Sequence, residues 1–574
     1  MGVDMPRPLL LLLTAAVQGM ALVSTSLPCT ANLSLTKAFI YMAVLNLVLW
    51  FVYIVAIYPN FVTPLRHLPT PKGANPIFGH VRSQFTSPRG EDYRRFIQEI
   101  PNDGIIRLKG VFNSDTILLT NFKGLAEVLV TRPYDFPKPE PNREALRLTI
   151  GDGLVTTEGA QHKQQRKHSL PSFGFRQIKG LYPLYWEKAV KMTRCIEAEV
   201  FGKVSSKGDT EKSDKQTGIT DIEYWAPKAT LDIIGVAGLG RDFNTLENSD
   251  DKIVHLYERL LTPTTEMQVL IGLYVLFGGL VANILYPTAA RRLAKTTAEL
   301  RSLSEQFVRE KRERLEKSEA DGIESVDTLA HLMKTGVFSD QELVDQLLTI
   351  IAAGHETTSS AFTWAIYLLS THQDIQTRLR DELYASLPPE YLQRTSPNSP
   401  KSTPSDPNST DLATLLESLP LLNGVCNETL RVYPTVPVTV RKAERTTTLL
   451  SGSITIPANT RIFISPWATN KSVEIWGTDA EEFKPERWID PATNKPNLTG
   501  GADSNYAFLT FLHGPRSCIG QNFARSELRC LVAAFVVAFE FELAIPEEEI
   551  VPAGMVTTKP RDGLRVRIRR VQRD

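Results

Sequence analysis

Phe511-Leu512-His513-Gly514-Pro515-Arg516-Ser517-Cys518-Ile519-Gly520 decides how this 574-residue chain is read. A single cysteine stands behind a glycine-rich turn, with an arginine two residues upstream. Gly514 and Gly520 give the backbone freedom on either side of it. From Ile519 the pattern turns helical, with Phe523, Leu528, Leu531 and Val532 alternating with Arg525, Glu527 and Arg529. Cys518 is therefore expected at a helix N-terminus, where the dipole and unpaired N–H groups lower a thiol pKa. A lone cysteine is usually a small buried hydrophobe. That reading holds for Cys29, Cys195, Cys426 and Cys530, whose spacings make no framework. The specified neighbours F-x-x-G-x-R-x-C-x-G set Cys518 apart as a metal-ligating thiolate.

Upstream, Ala353-Gly354-His355-Glu356-Thr357-Thr358 lies in a helical pattern that starts near Ser339. Ser339 with Glu342 reads as a capping box, and Phe338 with Leu343 as a hydrophobic staple. Leu343, Leu347, Ile350, Gly354, Thr357 and Ala361 share one face. Gly354 removes bulk from that face, Thr357 adds a hydroxyl, and Glu356 can relay protons. Taken alone, such a threonine bonds back to its own helix turn.

Glu428-Thr429-Leu430-Arg431 places an acid and a base on one helix face. Taken alone, that is an exposed ion pair of about 0–1 kcal/mol. Phe483-Lys484-Pro485-Glu486-Arg487-Trp488 follows further on. In Gly159–Phe173, His162 and Arg166 are also one turn apart, either as a solvated basic face or as a pair of donors.

Taken in order, these segments resemble the cytochrome P450 family from about Leu65 to the end. They match its F-x-x-G-x-R-x-C-x-G, A-G-x-[DE]-T-[TS], E-x-x-R and P-E-R-[FW] motifs. The resemblance implies a mainly α fold with small β-sheets and a haem b held by the Cys518 thiolate. In that setting Phe511 packs beneath the macrocycle, Gly514 shapes the turn, and Arg516, Arg441, His162 and Arg166 meet the propionates. His162 stands where the family usually has tryptophan, as in many fungal members. Gly354 leaves room for a diatomic ligand. Thr357 hydrogen-bonds the activated oxygen, and Glu356 helps deliver protons for O–O cleavage. Glu428, Arg431 and Arg487 form a buried ionic triad. The same resemblance makes the chain a monooxygenase using O2 and electrons from NADPH. No flavin- or nicotinamide-binding stretch follows Cys518, so a separate NADPH–cytochrome P450 reductase supplies them, with cytochrome b5 as an accessory donor. Lys163, Lys167, Arg525 and Arg529 are the docking candidates. A haem-thiolate isomerase or dehydratase, and a haem-based sensor, are the rival readings.

Composition sets bounds. Lys+Arg and Asp+Glu are both 64, which gives no basic excess for nucleic acid. Residues 38–58 form an uncharged stretch long enough to span a bilayer, with Trp50, Tyr53 and Tyr58 suited to an interface. Arg66, His67 and Lys72 follow, which puts the large domain on the cytosolic side of an endoplasmic reticulum membrane. Residues 9–23 are a second apolar run, read either as a signal-type segment or as a second span.

The expected organisation is a leading segment to 37, a membrane helix over 38–58, a proline-rich connector over 59–76 and a haem-thiolate domain over 77–574. Polar insertions are expected near 204–218 and 395–410. Residues 105–108 and 116–120 read as strands about a turn at Asn113-Ser114. The apolar run 269–286 is expected to be a substrate-access region at the membrane surface and not a span. It implies a lipophilic substrate, of terpenoid, polyketide or fatty-acid type. Candidate pocket segments are residues 136–150, Ala353, 435–440 and 554–557.

Overall fold

The computed structural model describes residues 8–24, 34–202, 217–247, 251–261, 264–320, 327–393, 411–554 and 556–571. The expected insertion at 395–410 and most of that at 204–218 lie outside the described residues. Thr217 and Gly218, placed in the first insertion from sequence, instead open a strand, Thr217–Asp221. The architecture is mainly α with small sheets, and it divides into two compact units.

The smaller unit comprises residues 1–86, 95–137 and 439–465. It carries two apolar helices, Pro8–Ser24 and Leu35–Val52, which pack on each other. The second is capped by Ser34 and continues in wider π turns through Tyr53–Val62. The helical stretch Leu35–Val62 is apolar and long enough to cross a membrane, and it overruns the 38–58 segment at both ends. The strands Ile105–Lys109 and Asp115–Leu119 pair antiparallel in a four-stranded sheet, with Arg461–Ile464 and then Thr439–Lys442 beyond them. Both strands are buried along nearly their whole length, and β-branched Ile105, Ile106, Thr116 and Ile117 favour the pairing.

The turn Val111–Asn113 grips the end of the long apolar helix. Phe112 and Asn113 adopt φ of 54° and 56°, and the Asn113 amide donates to the Val55 carbonyl at 2.8 Å. Buried Asp115 accepts from Tyr58 at 3.1 Å and from Thr63 at 2.8 Å. Arg107 donates to Asp115 at 3.2 Å and to the Pro59 carbonyl at 2.9 Å. The helix end is thus bonded into the sheet and is not a loose tether.

The larger unit holds residues 87–94, 138–438 and 466–574. Its axis is the 32-residue helix Asp340–Thr371, which begins with the expected Ser339–Glu342 capping box. Leu343, Leu347, Ile351, Phe362, Ala365 and Leu369 bury its length against the core. Helix Ile222–Ile234 packs along it, and helix Gln521–Ala538 also packs against it, through Phe535 on Phe362. The apolar run 269–286 is broken at Gly278, φ 82°, into the short helices Thr265–Phe277 and Gly279–Leu285. Neither piece reaches the length of about 20 residues that a span needs. Leu280, Ile284 and Leu285 point outward, with exposures of 78%, 70% and 57%.

Candidate active site

The Cys518 loop is closed by its own backbone. The Cys518 N–H donates to the Phe511 carbonyl at 2.9 Å, and the Ser517 N–H to Gly514 at 3.0 Å. Leu512 and Gly514 turn the chain through the left-handed region, at φ 54° and 77°. Arg166, on helix Gly159–Ser169, ties the loop down by donating to the Ser517 carbonyl and, at 3.2 Å, to its hydroxyl. Phe511 packs against Phe508, and Arg525 lies 5.2 Å above its ring.

The thiol departs from the sequence expectation. The helix begins only at Gln521. Burial pushes the Cys518 thiol up, and this outweighs the lowering by the Gly520 N–H and by Arg166. The side chain is nevertheless accessible. A thiol so placed ionises when a metal cation binds it.

A positively charged cluster lies beside this loop. Arg516 is paired with Glu158, the residue before helix Gly159–Ser169. Glu158 also accepts from the Lys138 backbone at 3.0 Å. Burial opposes ionisation of Glu158, but Arg516 and Lys138 hold its carboxyl below the usual range. His162 is buried, and its pKa is lowered to about 4 by burial first, then by Arg516 and Lys138. It is a neutral imidazole with one N–H to donate. One carboxylate therefore sits among Lys138, Arg166 and Arg516. This excess of positive charge and the accessible thiol suit an iron porphyrin that carries carboxylates. Sequence reasoning missed Glu158; the signal was an acid directly before the helix that presents His162 and Arg166. Arg441 belongs to the other unit. There it is buried on strand Thr439–Lys442 and donates to Thr439 and to the Val440 carbonyl, both at 3.0 Å.

The long helix is buried nearly end to end but opens at one step. Ala353 is exposed, and Gly354, Glu356 and Thr357 are half-buried. The Thr357 hydroxyl donates to the Ala353 carbonyl at 2.8 Å. Its proton is committed, while its oxygen still accepts. Gly354 differs from expectation: a Cβ there would meet the Ile234 side chain at 2.7 Å. The glycine admits a neighbouring isoleucine and is not open space on its own.

Glu356 accepts from Thr557 at 2.9 Å and lies 4.0 Å from Lys559, which pairs with Glu223 at 3.0 Å. Burial alone would lower the Lys559 ammonium, but Glu356 and Glu223 hold it above its ordinary value. Burial raises the Glu223 carboxyl. The loop bearing these groups is bolted in place. The Thr558 carbonyl accepts from Ser360 and, at 2.8 Å, from Trp364, and the Thr558 N–H donates to Thr435 at 2.9 Å. Two pocket segments far apart in sequence, near 435 and 557, are thereby joined.

Glu428 and Arg431 are fully buried and bidentate, with both bonds at 2.8 Å. Arg487 Nε lies 3.3 Å from Glu428, and Trp488 donates to it at 2.9 Å. Arg431 also donates to the carbonyls of Asn470, Ala480 and Glu482. Of the four docking candidates, Lys163 and Lys167 are exposed. Arg529 instead donates to Asn423 and Tyr182, and Arg525 lies over Phe508 and Phe511. These two brace the interior and present little charge outward.

A family model described as Cytochrome P450 matches residues 69–564. The chain belongs to the cytochrome P450 family. It is 40% identical to Cytochrome P450 monooxygenase sphH of Aspergillus fumigatus, over 89% of each chain. It is 38% identical to Cytochrome P450 monooxygenase ptmK of Penicillium ochrochloron, over 92% of this chain and 98% of that one. Cytochrome P450 monooxygenase FSL4 of Gibberella zeae is 36% identical over 92% of each. As a P450 monooxygenase the chain is an oxidoreductase, and its family implies a haem, a redox partner and a small-molecule substrate.

Proposed function

We propose that this P450 inserts one atom of O2 into a lipophilic substrate, with Cys518 as the thiolate that would hold haem b. Haem, when bound, supplies the redox centre and the activation of O2. The chain positions, gates and protonates. The Phe511–Cys518 backbone bond and Arg166 hold the sulfur in one place. Arg516, Arg166 and the neutral N–H of His162 would meet the propionates. The Thr357 oxygen accepts a hydrogen bond at the uncovered helix step. Glu356 moves protons to that step from solvent, by way of Thr557, Lys559 and Glu223.

The observation that carries this reading is the Glu356–Thr557–Lys559 connection beside the opened helix step. Reductive cleavage of O2 consumes protons; rearrangement of a peroxide does not. A built proton supply thus favours the monooxygenase over an isomerase or dehydratase, and over a sensor.

The outward Leu280, Ile284 and Leu285, together with the apolar Leu35–Val62 helix, favour a substrate that partitions into membrane. We place the protein in the endoplasmic reticulum membrane with its catalytic part in the cytosol. The substrate is a secondary metabolite of terpenoid or polyketide type, with a fatty acid as the alternative. Electrons come from NADPH–cytochrome P450 reductase, with cytochrome b5 as accessory donor. Lys163 and Lys167 form the docking charge, joined by exposed Arg176 and Phe175.

The test is reconstitution with reductase, NADPH and extracts of a producing host. Product should depend on NADPH and carry label from 18O2. Full conversion without NADPH would transfer the protein to the isomerase class. Cys518→Ala should lose the thiolate signature in the reduced carbon monoxide spectrum; an unchanged spectrum removes Cys518 as ligand.

A further inference from the structure

The first apolar helix has no role in the reading above, yet it is built against the second. Pro8–Ser24 and Leu35–Val52 run antiparallel: Gly19 meets Phe39 near the 25–33 connector, and Thr14 meets Asn46 farther from it. Their seam is made of small residues. Ala15 and Ala38 are wholly covered, and a Cβ on Gly19 would lie 3.1 Å from the Phe39 backbone nitrogen. At this distance the backbones are in contact, as in helices that associate within lipid.

The polar side chains decide the matter. Asn46 is the one strongly polar residue in the middle of the second helix. It stands about 16 Å along the helix from Leu35, near the centre of a hydrocarbon layer of ~30 Å. An unpaired amide at that depth is costly. Here its nitrogen donates to Gln18 Oε1 at 2.8 Å and to Thr14 Oγ1 at 3.3 Å. Gln18 and Thr14 are also the two polar residues in the interior of the first helix. Partners for a group in mid-bilayer must lie in mid-bilayer themselves. The first helix has 17 residues and no charge, and at about 26 Å it nearly matches the apolar layer.

Charge agrees with the packing. Arg7 precedes the first helix, and Arg66, His67 and Lys72 follow the second. A hairpin puts all four on one side and leaves Lys37 by the connector, which satisfies the positive-inside preference better than a single span does.

We propose that the two helices form a transmembrane hairpin, so that the Pro8 end of the first helix shares the cytosolic side with the catalytic unit and the facing ends at Ser24 and Ser34 lie on the lumenal side. This rests on the membrane-anchor reading. It makes the first helix a permanent half of the anchor and not a leader that is removed.

The test is site-resolved labelling of the full-length protein in sealed microsomes with a membrane-impermeant maleimide, read by mass spectrometry. The variant Gly2→Cys is compared with the native Cys29. The hairpin expects Gly2→Cys to label in intact vesicles and Cys29 only after permeabilisation. Protection of both until permeabilisation overturns the hairpin and leaves a single span. Loss of the peptide carrying position 2 from the mature protein overturns it in favour of a cleaved leader. Labelling of Cys29 in intact vesicles overturns the anchor reading itself. As a second measure, the double variant Gln18→Cys/Asn46→Cys should cross-link on oxidation, whereas absence of any cross-link opposes the packing.

Discussion

Thr557 donates its hydroxyl hydrogen to Glu356 at 2.9 Å, across 201 positions of sequence. The same carboxylate lies 4.0 Å from Lys559. The acid beside the helix step is therefore wired to the far end of the chain. Glu356→Gln should lower coupled turnover about a hundredfold, in the range of general acid catalysis. Lys559→Met should enlarge the solvent isotope effect with little change in substrate affinity. Product formed per NADPH in H2O and D2O checks both.

The Thr357 hydroxyl is bonded to its own helix, so only its oxygen is available as an acceptor. Thr357→Ala removes that acceptor, whereas Thr357→Ser keeps it. The alanine variant should consume NADPH at near-normal rate and release peroxide; serine should restore coupling. Equal coupling in all three proteins would remove Thr357 from the mechanism.

His162 sets a pH window. Its folded pKa is about 4 against an ordinary 6.5, so the unfolded chain takes up the proton first as pH falls. Stability rises with pH across that interval and is lost on descending from about 6.5 to about 4. The effect on the haem-free protein is at most ~3 kcal/mol. Denaturant midpoints measured between pH 7 and 4.5 should fall in the wild type and flatten in His162→Gln.

Glu428→Gln should destabilise the protein by about 3–5 kcal/mol, because it leaves Arg431 buried without its counter-charge. Thermal unfolding, read with haem loss, measures this. A shift within the error of an exposed ion pair would show that the backbone carbonyls alone satisfy Arg431.

Tyr58 and Thr63 both donate to buried Asp115, so the removable part of the anchor ends earlier than the apolar stretch does. Deleting residues 1–52 should leave a haem-loaded, stable protein. Deleting 1–63 should cost about 3 kcal/mol, because a buried carboxylate loses two donors. Equal melting temperatures for the two truncations would argue against the latch.

What could be read from sequence was local. The Ser339–Glu342 cap and the strand pair about residue 113 each lie within about fifteen residues, and each appears as expected. The misses are long-range contacts. Periodicity says that Gly354 lacks a side chain; it does not say that Ile234 takes the space. The motif supplies Arg516 but not its partner Glu158, 358 positions away. Arg525 and Arg529 looked like surface charge because arginine usually is, yet aromatic rings and the Asn423 and Tyr182 side chains hold them.

The contact of Gly354 with Ile234 makes these two positions a single unit of design. Bulk added at 354 must be subtracted at 234, or the long helix will be pushed off its neighbour. Libraries that vary either site alone will collect mostly damaged proteins. Those that vary the two together, for instance Gly354→Ala with Ile234→Val, will find their altered selectivities among folded ones.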